Sequence, residues 1–308
     1  MSKTAFIAIV GRANVGKSSF VNRAVGQKVA IVSDKPQTTR TKILGVLTKN
    51  DDQLVFIDTP GLHKPRNTLG ENMMKAVGAG LSDVDAAVLM VEAVTKFKFD
   101  KDNLPPAEIK LMDELKRRNI PAVLAINKID LLKDKSELFQ IISAYSSYMD
   151  FKAVVPFSAK NGDGADILIK ELLAFTKDSV HYFDDDTVTD QTERTMISEI
   201  IREKLLLTLD NEVPHGIAID LEQIFEKDNR DGEPILNVNA VIYCEKESHK
   251  GIIIGKGGAV LKKIGTFART DIEKYYGTKV PIARMYMSRL HMQTNRLQEH
   301  IKQQPTSI

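Results

Sequence analysis

The chain has one cysteine, Cys244, among 308 residues. No intrachain disulfide can form, and a reducing compartment fits. Nowhere does an apolar run approach the roughly 18 residues a membrane-spanning helix needs. The six histidines, His63 among them, show no metal-ligand spacing, which together with the lone cysteine argues against a structural zinc site. There is no nucleophilic triad pattern, no internal repeat and no low-complexity tract. Net charge is only +2, so any affinity for nucleic acid must come from local charge. The opening MSKTAFIAIVGR has an apolar run of only FIAIV, leading straight into a glycine-rich motif, which is not the pattern of a signal peptide. A cytoplasmic protein is expected.

What is present divides into two halves, as the length suggests. In the first half, AFIAIV (5–10), LVFID (54–58), AAVLMV (86–91), AVLAIN (122–127) and VVPFSA (154–159) read as buried strands. Helical segments alternate with them. In PAEIKLMDELKRRN (106–119), Ile109, Met112 and Leu115 recur three apart. This alternation predicts β-α-β units and an α/β domain with a mostly parallel sheet, covered on both faces, over residues 1–178. The segment SVHYFDDDTVTDQTER has no periodicity and reads as a linker over 179–194. Beyond it, over 195–308, a helix MISEIIREKLLLTL (196–209) precedes strands GIAIDLEQIF (216–225) and LNVNAVIYCEK (236–246) around a turn-rich DNRDGEP (228–234). A hairpin in an α+β domain, with a C-terminal tail, is expected.

GRANVGKS (11–18) matches the P-loop pattern between a strand and a helix-compatible SFVNRAV. Gly11, Arg12, Ala13, Asn14, Val15, Gly16, Lys17 and Ser18 should wrap the phosphates. Glycines let backbone N–H groups approach the oxygens, Lys17 should reach the β- and γ-phosphates, and the Ser18 hydroxyl should ligate Mg²⁺. DTPGL (58–62) supplies Asp58 for Mg²⁺, Thr59 and Pro60 beside it, and Gly61, whose N–H can reach the γ-phosphate. Between them, SDKPQTTRTK (33–42) offers Thr38 and Thr39 to complete the metal shell when the γ-phosphate is present. NKID (127–130) selects guanine. Asp130 can accept from N1–H and the 2-amino group, donors that adenine lacks, with Asn127 and Lys128 in the same turn. Ser158 and Ala159 in PFSAK resemble a fifth GTPase motif that supports the base. Leu62 stands where Ras-like enzymes carry the glutamine that orients water.

In the second half, IIIGKGGAVLKKIG (252–265) contains Gly255-Lys256-Gly257-Gly258 between an apolar segment and a helix-like AVLKKI. That is the pattern of a KH domain, whose G-x-x-G loop clamps the backbone of about four nucleotides. Over 245–308 there are 12 Lys and Arg against 5 Asp and Glu, an excess of +7 that suits RNA, with Lys256, Lys262 and Lys263 nearest the loop. Helix and hairpin before the loop favour the type II order.

GRANVGKS, KPQTTRTK, DTPGLHKP and NKID, together with the G-x-x-G half, resemble the Era family of bacterial GTPases over nearly the whole chain, to about residue 285. The resemblance implies a slow GTPase that binds GTP and GDP with Mg²⁺, and a KH domain that reads the 3′ end of small-subunit ribosomal RNA during 30S maturation. It also implies peripheral contact with the inner membrane for some members, and a monomer is expected. It favours Thr39, which directly precedes Arg40, as the switch threonine. It makes an apolar Leu62 expected rather than a sign of lost activity. It assigns Asn14 to binding K⁺ near the β- and γ-phosphates; the alternative reading of Asn14, as a turn former, stays open. Lys17, Asn14, Thr39 and Gly61 are therefore the expected catalytic set. The chain departs from the family in having no tryptophan near its C-terminal strand. Two other readings stay open here: a nucleotide-sensing RNA-binding protein with little hydrolysis, and a related GTPase acting on another RNA. A P-loop small-molecule kinase is disfavoured by NKID.

Overall fold

The computed structural model describes residues 1–35, 38–40, 42–60, 83–93, 104–134, 136–209, 216–228, 234–244, 246–276 and 285–291. These fall into two compact units: residues 1–32 with 36–191, and residues 33–35 with 192–308.

The first unit is built on a sheet of β1 (Lys3–Gly11), β2 (Ile43–Lys49), β3 (Asp52–Asp58), β4 (Ala86–Glu92), β5 (Ala122–Asn127), β6 (Ala153–Pro156) and the short β7 (Lys177–Asp178). The strand order is β2-β3-β1-β4-β5-β6, with β7 paired to β1. All pairings from β3 across to β6 are parallel, while β2 and β7 pair antiparallel. The strand β2 was not among those expected from the sequence. Its run ILGVLTK mixes buried and half-exposed residues, as suits an edge strand.

Successive residues of a strand point to opposite faces, and each face is buried. Ile7, Ile9, Val88, Met90, Val123 and Ala125 pack with α1 (Lys17–Val25) and α4 (Ala165–Leu173). Ala8, Val10, Leu89, Val91, Leu124 and Ile126 pack with α2 (Pro106–Arg117) and α3 (Ser136–Tyr148). The ring of Phe20 on α1 is fully buried, edge-on to Phe56 at 5.7 Å and Phe157 at 5.6 Å. Truncating such a ring costs about 3–5 kcal/mol. This packing fixes the start of α1 beneath the carboxyl ends of β1 and β3, where an open α/β sheet binds its ligand.

Residues 179–191, expected to be part of a linker, run as a strap along the first unit. The Gln53 side chain on β3, fully buried, uses its whole hydrogen-bonding capacity. Nε2 donates to Phe183 O at 2.9 Å and Thr48 Oγ1 at 3.0 Å, and Oε1 accepts from Tyr182 N at 2.9 Å and Phe183 N at 3.1 Å. Phe6 stacks edge-on with Tyr182 at 5.1 Å. Farther along, Val46 N donates to Val188 O at 2.9 Å and Thr189 Oγ1 to Leu44 O at 2.7 Å.

The second unit begins with α5 (Glu193–Thr208), N-capped by Thr192, which accepts from Thr195 N. The hairpin β8 (Ile217–Asp228) and β9 (Pro234–Cys244) is antiparallel, and β10 (Met285–His291) joins β9 in parallel. Between them come α6 (Glu247–Ile254), a 3₁₀ turn at Lys256–Gly258 and α7 (Ala259–Tyr275). The core joins Ile197, Ile200, Ile201 and Leu205 of α5 to Ile219, Leu221, Val238 and Ile242 of the hairpin and Ile264, Ala268 and Ile272 of α7. The C-terminal tail beyond residue 291 lies outside the described residues, as do residues 229–233 of the hairpin turn.

Candidate functional site

The P-loop bridges β1 and α1. Gly16 caps α1 at φ 101°, a left-handed conformation, and a Cβ there would meet Asn127 Nδ2 at 2.1 Å. Glycine is therefore required by both backbone and space. Gly11 answers a second close approach, since a Cβ would lie 2.3 Å from Met90 O. Asn14 also lies in the left-handed region, at φ 64°. No side chain caps α1, so its N-terminus keeps the partial positive charge that suits phosphate. Lys17 Nζ donates to Arg12 O at 2.9 Å and Gly11 O at 3.3 Å, so the loop's own carbonyls hold the ammonium.

The three residues expected to hold a metal come together from three segments. Ser18 Oγ donates to Asp58 Oδ2 at 2.6 Å, and Ser18 Oγ and Thr39 Oγ1 lie 3.0 Å apart. Asp58 is fully buried and its Oδ1 has no hydrogen-bond partner among the described residues. A buried carboxylate oxygen without a donor is costly, and a divalent cation would satisfy it. Three hard oxygen donors fit Mg²⁺. Burial pushes the Asp58 carboxyl up to about 6, against the opposing effects of Lys17 and the Ser18 hydrogen bond. Burial likewise pushes the Lys17 ammonium down to about 8, with Asp58 opposing. Thr59 Oγ1 donates to Ile9 O at 2.8 Å, a brace between β1 and the end of β3 rather than a ligand contact. Pro60 follows it, buried, while Gly61 and Leu62 lie outside the described residues.

The base motif is held by Asn127. Its Nδ2 donates to Val15 O at 2.8 Å, and its Oδ1 accepts from Lys128 N at 2.8 Å and Ala159 N at 2.9 Å. One amide thus joins the P-loop, NKID and the SAK turn. Ser158 Oγ donates to Asp130 Oδ1 at 2.7 Å, which orients the carboxylate on its exposed turn. Of two adjacent α1 residues missed in the sequence, Arg23 supports the SAK turn and Asn22 ties α1 to the segment that follows it. Arg23 donates to Ala159 O and Lys160 O, each at 2.7 Å. Asn22 Oδ1 accepts from Val29 N at 2.9 Å and Ala30 N at 2.8 Å, and its Nδ2 donates to Ala30 O at 2.7 Å. Arg12 turns to carboxylates on β4 and α2, Glu92 and Glu108, which were also missed. Burial alone would lower its guanidinium, but Glu108 and Glu92 outweigh that and hold it charged.

In the second unit, Gly255, Gly257 and Gly258 all have positive φ, at 71°, 60° and 79°. A Cβ at Gly255 would meet Val260 Cγ2 at 2.4 Å, whereas one at Gly257 would meet nothing within 4 Å. Gly257 is thus bare of neighbours, as close approach by a backbone requires. Lys256, Lys262 and Lys263 are exposed around this loop and the first turn of α7, with Lys263 Nζ 5.7 Å from the Phe267 ring centroid.

Fold and site together define a P-loop GTPase domain followed by a KH domain. The family described as 50S ribosome-binding GTPase matches residues 6–128, and the KH domain family matches 212–283. The chain is 46% identical to GTPase Era of Ruminiclostridium cellulolyticum over 279 residues, covering 90% of this chain and 89% of that protein. It is 46% identical to GTPase Era of Clostridioides difficile over 280 residues, covering 91% of each. Among solved structures, Era in complex with MgGDPNP and nucleotides 1506–1542 of 16S ribosomal RNA is similar with a TM-score of 0.82 and 32% identity, over 93% of this chain and 92% of that one. A variant of Aquifex aeolicus Era bound to GDP.AlF4- is similar with a TM-score of 0.81 and 33% identity, over 89% of this chain and 90% of that one. The chain belongs to the Era family of GTPases.

Proposed function

We propose that the protein is a GTP-hydrolysing switch whose KH domain binds the 3′ end of 16S ribosomal RNA and assists maturation of the small ribosomal subunit. The observation that carries this reading is likeness over both domains at once: relatives named GTPase Era match about nine-tenths of the chain, and a solved Era of the same fold holds MgGDPNP and that RNA segment. The family of the first domain is described by the 50S ribosome, but it covers only 6–128. The matches that span both domains decide for the small subunit.

Lys17 and the N-terminus of α1 bind and orient the phosphates. Ser18, Thr39 and Asp58 would hold Mg²⁺, which would offset the charge on the phosphates. Asp130, steadied by Ser158, reads guanine. Gly61, from its place in the DTPG motif, would offer its N–H to the γ-phosphate. Leu62 offers no hydrogen bond to water, so backbone groups and ordered solvent position it and hydrolysis is slow. Asn14 would help to hold K⁺, whose charge would supply an electrostatic aid to phosphoryl transfer. Gly255 to Gly258 clamp the RNA backbone, with Lys256, Lys262 and Lys263 supplying charge. The protein works as a cytoplasmic monomer, with peripheral contact with the inner membrane.

Two experiments test this. Single-turnover GTP hydrolysis should be measurable, faster in K⁺ than in Na⁺, and abolished in Lys17→Ala. Equal rates in the two salts would remove Asn14 from catalysis, and no hydrolysis would leave a nucleotide sensor. Crosslinking in cells followed by sequencing of bound RNA should enrich the 3′ end of 16S ribosomal RNA. Enrichment elsewhere would give the KH domain another target.

A further inference from the structure

Glu92 is the residue at which the apolar run of β4 ends. The parallel register of β4 and β5 sets it opposite Asn127, at the carboxyl edge of the sheet. Its carboxylate is divided between cations from two motifs. Oε2 accepts from Lys128 Nζ at 2.7 Å, and Oε1 from Arg12 Nη2 at 3.4 Å. Lys128 belongs to the turn that carries Asp130. Arg12 is the second residue of the P-loop, and its carbonyl holds the Lys17 ammonium at 2.9 Å.

The network is anchored on its far side. Arg12 Nε donates to Glu108 Oε1 at 2.5 Å, and Glu108, fully buried in the first turn of α2, also accepts from the Tyr145 hydroxyl of α3. A pair of exposed long side chains would fix little, because solvent screens it and both chains lose rotamer freedom. Here the side chains of Arg12, Glu92 and Lys128 are only 22%, 21% and 32% exposed. Two cations and two carboxylates also compensate one another without a net charge. Lys128 is further constrained by a left-handed backbone at φ 67°.

We infer that Glu92 is a positioning residue for guanine nucleotide binding, which ties the Lys128 side chain to the Arg12 end of the P-loop and so sets the base and phosphate subsites at a fixed span. The inference rests on the nucleotide-site reading above. Glu92 contacts no group expected at the reacting bond. Its effect should therefore fall equally on ground state and transition state, raising KM and leaving kcat.

The test measures dissociation of a fluorescent GDP from the full chain in the original protein, Glu92→Gln, Lys128→Met and the double variant. Glu92→Gln, which keeps shape and removes charge, should speed GDP release about tenfold and raise the KM for GTP by a similar factor, with kcat within about twofold. If Glu92 acts through Lys128, the double variant should release GDP no more than about twofold faster than Lys128→Met alone. Unchanged release in Glu92→Gln, or effects that multiply independently in the double variant, would overturn the inference. Failure of the unaltered protein to bind fluorescent GDP would instead sink the nucleotide-site reading. Melting temperatures of the nucleotide-free proteins separate positioning from folding. If Glu92→Gln does not fold, Arg12→Lys, which keeps the charge but loses the fork that spans Glu92 and Glu108, should show the same rise in GDP release, and normal release there would equally overturn the inference.

Discussion

At the scale of single residues, the clearest consequence of burial is the proton balance of the nucleotide site. The Asp58 carboxyl sits at about 6 in the folded protein against an ordinary 3.8. Between those values the nucleotide-free native state holds a proton that the unfolded chain has released. Its stabilising effect is complete below 3.8 and is lost as pH rises through about 6. Lys17 acts on the alkaline side. Its ammonium sits at about 8 against an ordinary 10.5, so its contribution is present above 10.5 and is lost as pH falls through about 8. Urea unfolding of the nucleotide-free protein across this range should show stability falling from pH 4 to 6. Asp58→Asn should flatten that slope, and equal slopes in the two proteins would refute it. Ser18, Asp58 and Asn127 were legible because short motifs fix their spacing, whereas the choice of Thr39 over Thr38 came only from the family resemblance. Glu92, Glu108, Asn22 and Arg23 were not. A charged or polar residue ending a strand, or lying on a helix, reads in sequence like any solvated position, and only the fold shows that Arg12 or the Ala159 carbonyl lies within reach.

At the scale of elements, the strap and the G-x-x-G turn carry separable predictions. Gln53→Ala would leave the backbone groups of Tyr182 and Phe183 without their partner. It should cost about 2–3 kcal/mol of stability in urea unfolding, more than a neutral hydrogen bond usually contributes, because buried donors and acceptors lose their satisfaction. A loss under about 0.5 kcal/mol would mean the strap is held by its apolar contacts instead. Gly257→Asp has space, and aspartate tolerates a left-handed backbone, so the fold should survive. Its charge should repel a phosphate backbone and lower RNA affinity by about tenfold or more in a filter-binding assay. Most strands and helices were evident as apolar runs and periodicities. The strap was not, because SVHYFDDDTVTDQTER has no period and its attachments are a glutamine, a threonine and backbone groups distant in sequence. The edge strand β2 escaped for a related reason, since only part of its run is buried.

At the scale of the whole molecule, a near-neutral chain carries a basic C-terminal segment, with an excess of +7 over residues 245–308. RNA binding should therefore weaken with salt. For a clamp on about four phosphates, the logarithm of the association constant should fall with the logarithm of salt at a slope of about −3. A flat dependence would place affinity in base contacts instead. A switch further requires that the GTP and GDP states differ in their affinity for RNA, since a ligand shifts an equilibrium only by its differential binding. The most direct test is fluorescence anisotropy of a labelled RNA carrying the 3′ end of 16S ribosomal RNA, titrated with protein loaded with either GDPNP or GDP. The account predicts specific binding whose affinity differs between the two states by at least about tenfold. Equal affinities, or binding no tighter than to an unrelated RNA of the same length, would contradict it.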